Sequence, residues 1–229
     1  NLHPLTEATA TEDGWRLNGT KYFVTMSSLA THVATNVRMR DADGDHIANV
    51  LMAMNTEGVH QQGDWDALGM RASGSQSVKF ENCLVPHDAL RKIGPWGQWS
   101  TPVLVNRTLA NVPLVGAFLG MTETAFEFAV DGQAKDPNAK NRSGVHHALA
   151  EMEILLATSQ SILARLGVQL DDFMAETEGG TKATYAQGHE LMKDYQSAKW
   201  VVNRHAVDTG PYTHLPLPTH YPVEDLVGA

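Results

Sequence analysis

Two periodicities divide this chain. Up to about residue 98, apolar and polar positions alternate in short runs, the repeat of strands with one buried face. In "WRLNGTKYFVT" (15–25), Asn18-Gly19 stands between two such runs. Both central positions of a type I′ turn need positive φ, so Asn-Gly predicts a hairpin there. "TNVRMRDADGDHIANVLMAM" (35–54) repeats the arrangement, with Asp43-Gly44 as the expected turn. "GVHQQGDWDALGM" (58–70) and "SQSVKFENCLVP" (75–86) supply two further strands, with Val78, Phe80 and Asn82 alternating against Lys79, Glu81 and Cys83. Several short strands at this spacing predict a closed or sandwich-like β domain.

"GPWGQWSTP" (94–102) changes the grammar, and apolar positions then recur at helical spacing. A first helix is predicted over 102–132, with Leu114, Phe118, Met121, Ala125 and Phe128 on one face. Thr101-Pro102 suits its start, and Pro113 predicts a kink. A second helix is predicted from Val145 to Glu176, stopped by "TEGG", and a third from Lys182 to Asp208. Helices of about 30 residues are about 45 Å long, and three of them predict an antiparallel bundle. The expected fold class is therefore α+β: a closed or sandwich-like β domain over 1–98, which the resemblance given below makes a β-barrel, followed by a helical bundle over 99–229. The text after Asp208 turns proline-rich without a cap, so either the third helix ends there or a segment is missing between Asp208 and Thr209.

Composition narrows the classes. The chain has 229 residues, 42% of them hydrophobic, enough for a large core. A formal charge of -9 without a basic run argues against nucleic acid or an anionic membrane as partner. The single cysteine, Cys83, excludes an internal disulfide and fits a reducing, cytoplasmic compartment. No continuous apolar run reaches the roughly 20 residues of a membrane helix. The opening "NLHPLTEATATEDG" reads as a start inside a longer text.

Familiar catalytic signatures are missing. There is no G-x-G-x-x-G, no G-x-x-x-x-G-K-[ST] and no G-x-S-x-G. His146 and His147 are adjacent, point about 100° apart on a helix and make a poor chelate, and His214 and His220 lie in the proline-rich tail, so no metal site is expected. Ser73, Ser75 and Ser77 have no base nearby in sequence. The residues alone give a β domain joined to a bundle.

Two segments then carry a resemblance. "TEDGWRLNGTKYFVTMSSLATHV" (11–33) and "WDALGMRASGSQSVKFENCLVP" (65–86) resemble, in order and separation, two signatures of the acyl-CoA dehydrogenase middle domain. With the helices after them, the likeness extends over residues 5–208. In that family a β-barrel and a C-terminal bundle hold FAD between them, so FAD is the implied cofactor. The aromatic-aliphatic-Thr strand falls on Phe23, Val24 and Thr25. The resemblance implies that Phe23 lies against the isoalloxazine, that Thr25 donates near N5, and that Ser27 adds a contact. It also matches Arg142 to an arginine that reaches a neighbouring subunit's FAD pyrophosphate. Gly69 and Gly74 would let the chain turn, Leu68 and Met70 would pack at the barrel end, and Arg71 would pair with a carboxylate.

The family's reaction removes two hydrogens from an acyl-CoA thioester with a glutamate base. No Tyr-Glu dipeptide occurs here, and Ala110 and Asn111 stand where other members carry the base, so the catalytic residue is unknown. The leading expectation is α,β-dehydrogenation of an acyl-CoA in fatty acid metabolism, with electron-transfer flavoprotein as acceptor, by a homodimer or homotetramer. The alternatives are a flavin-dependent monooxygenase on the same fold and a non-catalytic partner subunit of a mixed assembly.

Overall fold

The computed structural model describes residues 2–210. They form two compact units, one running to Val103 and the other starting at Leu104.

The first unit is one seven-stranded mixed sheet. Its strands are β1 (Glu7–Thr11), β2 (Gly14–Val24), β3 (His32–Asp41), β4 (Gly44–Ala53), β5 (Val59–Gln61), β6 (Gln76–Val85) and β7 (Leu90–Pro95), in the spatial order β5-β6-β2-β1-β3-β4-β7. All neighbours are antiparallel except β1 and β3. Leu17, Val37, Ala48, Val50, Val78, Phe80 and Cys83 share one core and are essentially inaccessible. At about 25 cal/mol per Å² of apolar surface, each of the Leu, Val and Phe side chains among them stabilises the sheet by ~1.5–3 kcal/mol.

Asn18-Gly19 is not a turn. The β1–β2 hairpin closes through Glu12 and Asp13, between the paired Thr11 and Gly14, and Asn18-Gly19 sits inside β2. Opposite it, β6 carries an extra residue: Leu17 pairs with Cys83 but Gly19 with Phe80. Asn82 absorbs this bulge at φ 54, and its N–H donates to Asn18 Oδ1 at 2.9 Å. The bulge breaks the alternation expected for β6, so Val78 and Phe80 face the core, Asn82 faces solvent, and Cys83 and Val85 return inward. Gly19 is required for another reason. A Cβ there would lie 2.8 Å from the Thr6 Cα. The β3–β4 turn is one residue earlier than expected, at Ala42-Asp43, with Gly44 at φ 115 as the first residue of β4.

The second unit's helices are α1 (Thr101–Ala134, its first residues belonging to the first unit), α2 (Ser143–Glu176) and α3 (Tyr185–Thr209). Val115, Leu166, Tyr195, Ala198 and Val202 form their shared core. Ser159 of α2 is buried, donates to the Leu155 carbonyl and contacts His205 Nδ1 of α3 at 3.0 Å. A capping box of Thr184 and Gln187 starts α3 three residues later than the sequence suggested. At the far end, Thr209 is still helical and its hydroxyl donates to the His205 carbonyl. The proline-rich stretch beyond 210, with His214 and His220, lies outside the described residues.

The apolar face read for α1 holds at Phe118, which packs against the helical core, but is one position off at its other large residues. Leu114, Met121 and Phe128, at seven-residue spacing, are exposed, whereas Val115, Thr122 and Ala129, one position on, are buried. Pro113 lies within the helix. α1 also contains an 18-residue window of mean hydropathy 1.3, enough by length and composition to cross a membrane. Interspersed Thr, Asn and Gly hide it from a search for an unbroken apolar run.

Candidate functional site

A fork in the sheet makes the candidate site. β1 separates β2 from β3, but it pairs with β2 only up to Asn18 and with β3 only over Arg38–Arg40. Beyond its start, the facing edges of β2 and β3 diverge around a pocket of about 300 Å³. Lys21 through Thr25 line it from β2 and its end, and Ala30 with His32 through Thr35 line it from β3 and the turn before it.

A second bulge aims the aromatic of this strand. Lys21 pairs with Val78 but Val24 with Gln76, so β2 carries the extra residue here. Phe23 absorbs it at φ 58, a left-handed conformation that costs a bulky side chain about 1–2 kcal/mol. The ring is 75% exposed and meets Trp65 edge-on at 6.2 Å. Met26 at φ 59 and Met70 at φ 52 are strained in the same way. Left-handed residues of this kind gather where surrounding structure holds them for a purpose.

The small polar run Ser73–Ser75, just after Leu-Gly-Met-Arg, supplies that hold. The Met26 N–H donates to the Ser73 carbonyl at 2.8 Å, and Ser27 Oγ donates to the Gly74 carbonyl at 3.3 Å. Thr25 Oγ1 lies 3.2 Å from Ser75 Oγ, which lies 2.8 Å from Ser73 Oγ. When Ser75 accepts from Ser73 and donates to Thr25, the Thr25 proton is free for a ligand. Ser27 is fully buried, and its proton is spent on Gly74. Leu68 and Met70, expected to pack, are exposed. Arg71 pairs with Asp66 at 3.0 Å, as expected.

Lys21 was not singled out in the sequence. It sits opposite buried Val78, so its stem points to the core side and its Nζ donates to the Asn36 carbonyl of β3 at 3.3 Å. Burial holds its pKa below the usual lysine value. A lysine in phase with Leu17 and Gly19 is the signal that could have marked it, once β2 is known to run unbroken through Asn18-Gly19.

Arg142 belongs to the second unit, where it directly precedes α2 and forms an ion pair with Asp136. Phe23, Thr25 and Ser27 are thus brought together, while Arg142 belongs to another unit. No cluster of three metal-ligating side chains occurs among the described residues.

The donor set suits a flavin. An exposed aromatic offers a platform for a flat ring, a hydroxyl lies two residues on, and two strand edges border a slot. Residues 2–83 match the family model "Acyl-CoA dehydrogenase, middle domain". The amino sugar nitrososynthase DnmZ of Streptomyces peucetius is 31% identical over 199 residues, 86% of this chain and 48% of that protein. A probable FMNH2-dependent monooxygenase, SfnC of Pseudomonas putida, is 27% identical over 220 residues, 90% of this chain and 54% of that protein. The structure of KijD3 in complex with FMN and dTDP-3-amino-2,3,6-trideoxy-4-keto-3-methyl-D-glucose is 27% identical and superposes with a TM-score of 0.83, covering 91% of this chain and 51% of that one. The chain therefore spans about half the length of the curated relatives it matches.

These likenesses overturn acyl-CoA dehydrogenation as the leading expectation, and with it fatty acid metabolism. The DnmZ match is a nitrososynthase and the SfnC match a monooxygenase, in line with the alternative of a flavin monooxygenase. The fold stands, since the same sheet and helices serve both chemistries. Residues 2–83 thus carry the middle-domain signature of the acyl-CoA dehydrogenase family, and the sheet with its three helices has the fold of the flavoenzymes it resembles.

Proposed function

We propose that this chain is the flavin-holding part of a flavin-dependent monooxygenase that oxidises the amino nitrogen of a nucleotide-linked amino sugar. The single observation that carries the reading is the fork between β2 and β3, where Phe23 is held exposed and left-handed beside Thr25. The amino sugar rests on the likeness to DnmZ, and the nucleotide link, with FMN rather than FAD, rests on the dTDP-sugar and FMN in the KijD3 complex. When bound, a reduced flavin supplies two electrons to dioxygen, one atom of which passes to nitrogen while the other leaves as water. The protein's part is positional. Phe23 supports the flat ring, Thr25 donates a hydrogen bond at its edge, and Ser73, Ser75 and Ser27 keep that strand end in place.

A flavin reductase would then supply the electrons in place of electron-transfer flavoprotein, in the cytoplasm. Assembly of identical copies would cover the exposed Leu114, Met121 and Phe128 stripe of α1.

The test uses purified protein, carrying whatever sequence flanks these residues in the native polypeptide. It is supplied with FMN or FAD, a flavin reductase, NADH and oxygen, and offered a dTDP-linked amino sugar or an acyl-CoA. Mass spectrometry is expected to find oxygen added at the sugar nitrogen, with FMN preferred. Anaerobic bleaching by an acyl-CoA alone would contradict the reading. Protein that takes up neither flavin would favour the non-catalytic partner.

A further inference from the structure

The cations of the first unit are mostly neutralised. Arg38 pairs with Glu7 and Asp45, Arg40 with Asp45, Arg71 with Asp66, Lys79 with Glu81, and Lys92 with Asp41. Lys21 differs. Its ammonium is half-buried at the fork, its one hydrogen bond is to the neutral Asn36 carbonyl, and among the described residues no carboxylate comes within ion-pair distance. Asn36 is itself fixed, its side-chain carbonyl accepting from Asn49 Nδ2 at 3.2 Å. A desolvated charge without a counter-charge destabilises a fold unless something else repays it. Burial lowers its pKa only by favouring the neutral amine, which an anion beside it would oppose.

We propose that Lys21 is a positioning residue that makes the fork prefer reduced, anionic flavin over oxidised, neutral flavin. This rests on the reading of the fork as a flavin site. A flavin gains negative charge on its pyrimidine ring when reduced, and a fixed ammonium at the pocket wall favours that state. Lys21 lies two residues before Phe23 and four before Thr25, and all three line one pocket. A ring resting on Phe23 with an edge at Thr25 thus comes within the field of the Lys21 ammonium. For an enzyme that must collect reduced flavin from a separate reductase, this preference loads the productive form and releases the spent one.

The experiment is an anaerobic titration of the protein with oxidised FMN and, separately, with dithionite-reduced FMN, reading tryptophan fluorescence. Wild type, Lys21→Met and Lys21→Arg are compared. Wild type is expected to bind reduced FMN about tenfold more tightly than oxidised FMN. Lys21→Met should bring that ratio close to one, chiefly by weakening reduced FMN, while Lys21→Arg keeps it. Should Lys21→Met fail to fold, Lys21→Gln is read in its place. An unchanged ratio in a folded, charge-free variant overturns the inference but leaves the flavin site standing. Wild type that binds neither form overturns both.

Discussion

Replacing Phe23 with Asn separates a binding role from a folding role. Phe23 is 75% exposed, so about a quarter of a side chain of roughly 200 Å² is covered, and its loss costs about 1 kcal/mol at 25 cal/mol per Å². Asn tolerates the left-handed conformation at φ 58, and relief of that strain returns about 1–2 kcal/mol. The two effects offset, so Phe23→Asn should leave unfolding free energy within about 1 kcal/mol of wild type. Phe80→Ala provides the contrast. That ring is 1% exposed in the sheet core, and its truncation should cost about 3–5 kcal/mol. The assay is urea denaturation followed by circular dichroism, paired with FMN titration of the same preparations. Phe23→Asn should weaken FMN by about tenfold through loss of the aromatic platform. A destabilisation above about 2 kcal/mol would make Phe23 a folding residue, and unchanged FMN affinity in a folded variant would remove it from the site; either result refutes the reasoning.

Three further outcomes follow from the geometry. Gly19→Ala should destabilise by about 3 kcal/mol in urea, because its Cβ would collide with the Thr6 backbone, whereas Gly44→Ala, with similar φ and open space, should lose only about 1 kcal/mol. Asp45 is held at a pKa of about 2 by hydrogen bonds from Arg40 and Arg38, so its stabilisation is complete above its ordinary 3.8 and is lost as pH falls through about 2; Asp45→Asn should flatten the acid limb of a stability–pH profile in that window. Cys83 is fully buried with its thiol pKa raised by burial, so a colourless thiol reagent that releases a coloured product should react in urea but not with native protein, and fast native labelling would place Cys83 outside the core.

The helices were legible because α2 and α3 each follow one long period, and α2 stops at a strong signal: Glu178 at φ 49 with Gly179 and Gly180 after it, just as "TEGG" implied. The register of the sheet was not. Asn18-Gly19 looks like a turn in one dimension, and only the partner strand reveals it as the foil of a bulge at Asn82. The face of α1 misled for a related reason. Leu114, Met121 and Phe128 form as good a stripe as Val115, Thr122 and Ala129, and the choice between them is made by what packs against the helix. Of the site, Phe23, Thr25 and Ser27 came from resemblance, which marks positions without explaining them. Their supports, Ser73, Ser75 and Trp65, lie some 40–50 residues away in the chain and meet them through hydrogen bonds and a ring contact that no local pattern encodes. Lys21 was hidden because a lysine in a strand normally means solvent, and here the pairing with Val78 turns it inward.

The central claim is that a flavin seats in the fork between β2 and β3. Hydrogen–deuterium exchange of the purified protein, with and without saturating FMN, tests it most directly. The account predicts slowed exchange over residues 21–25 and 32–35, with the Ser73–Ser75 segment following because it is bonded to the same strand end. FMN binding that protects other segments while leaving 21–25 and 32–35 unchanged would contradict it.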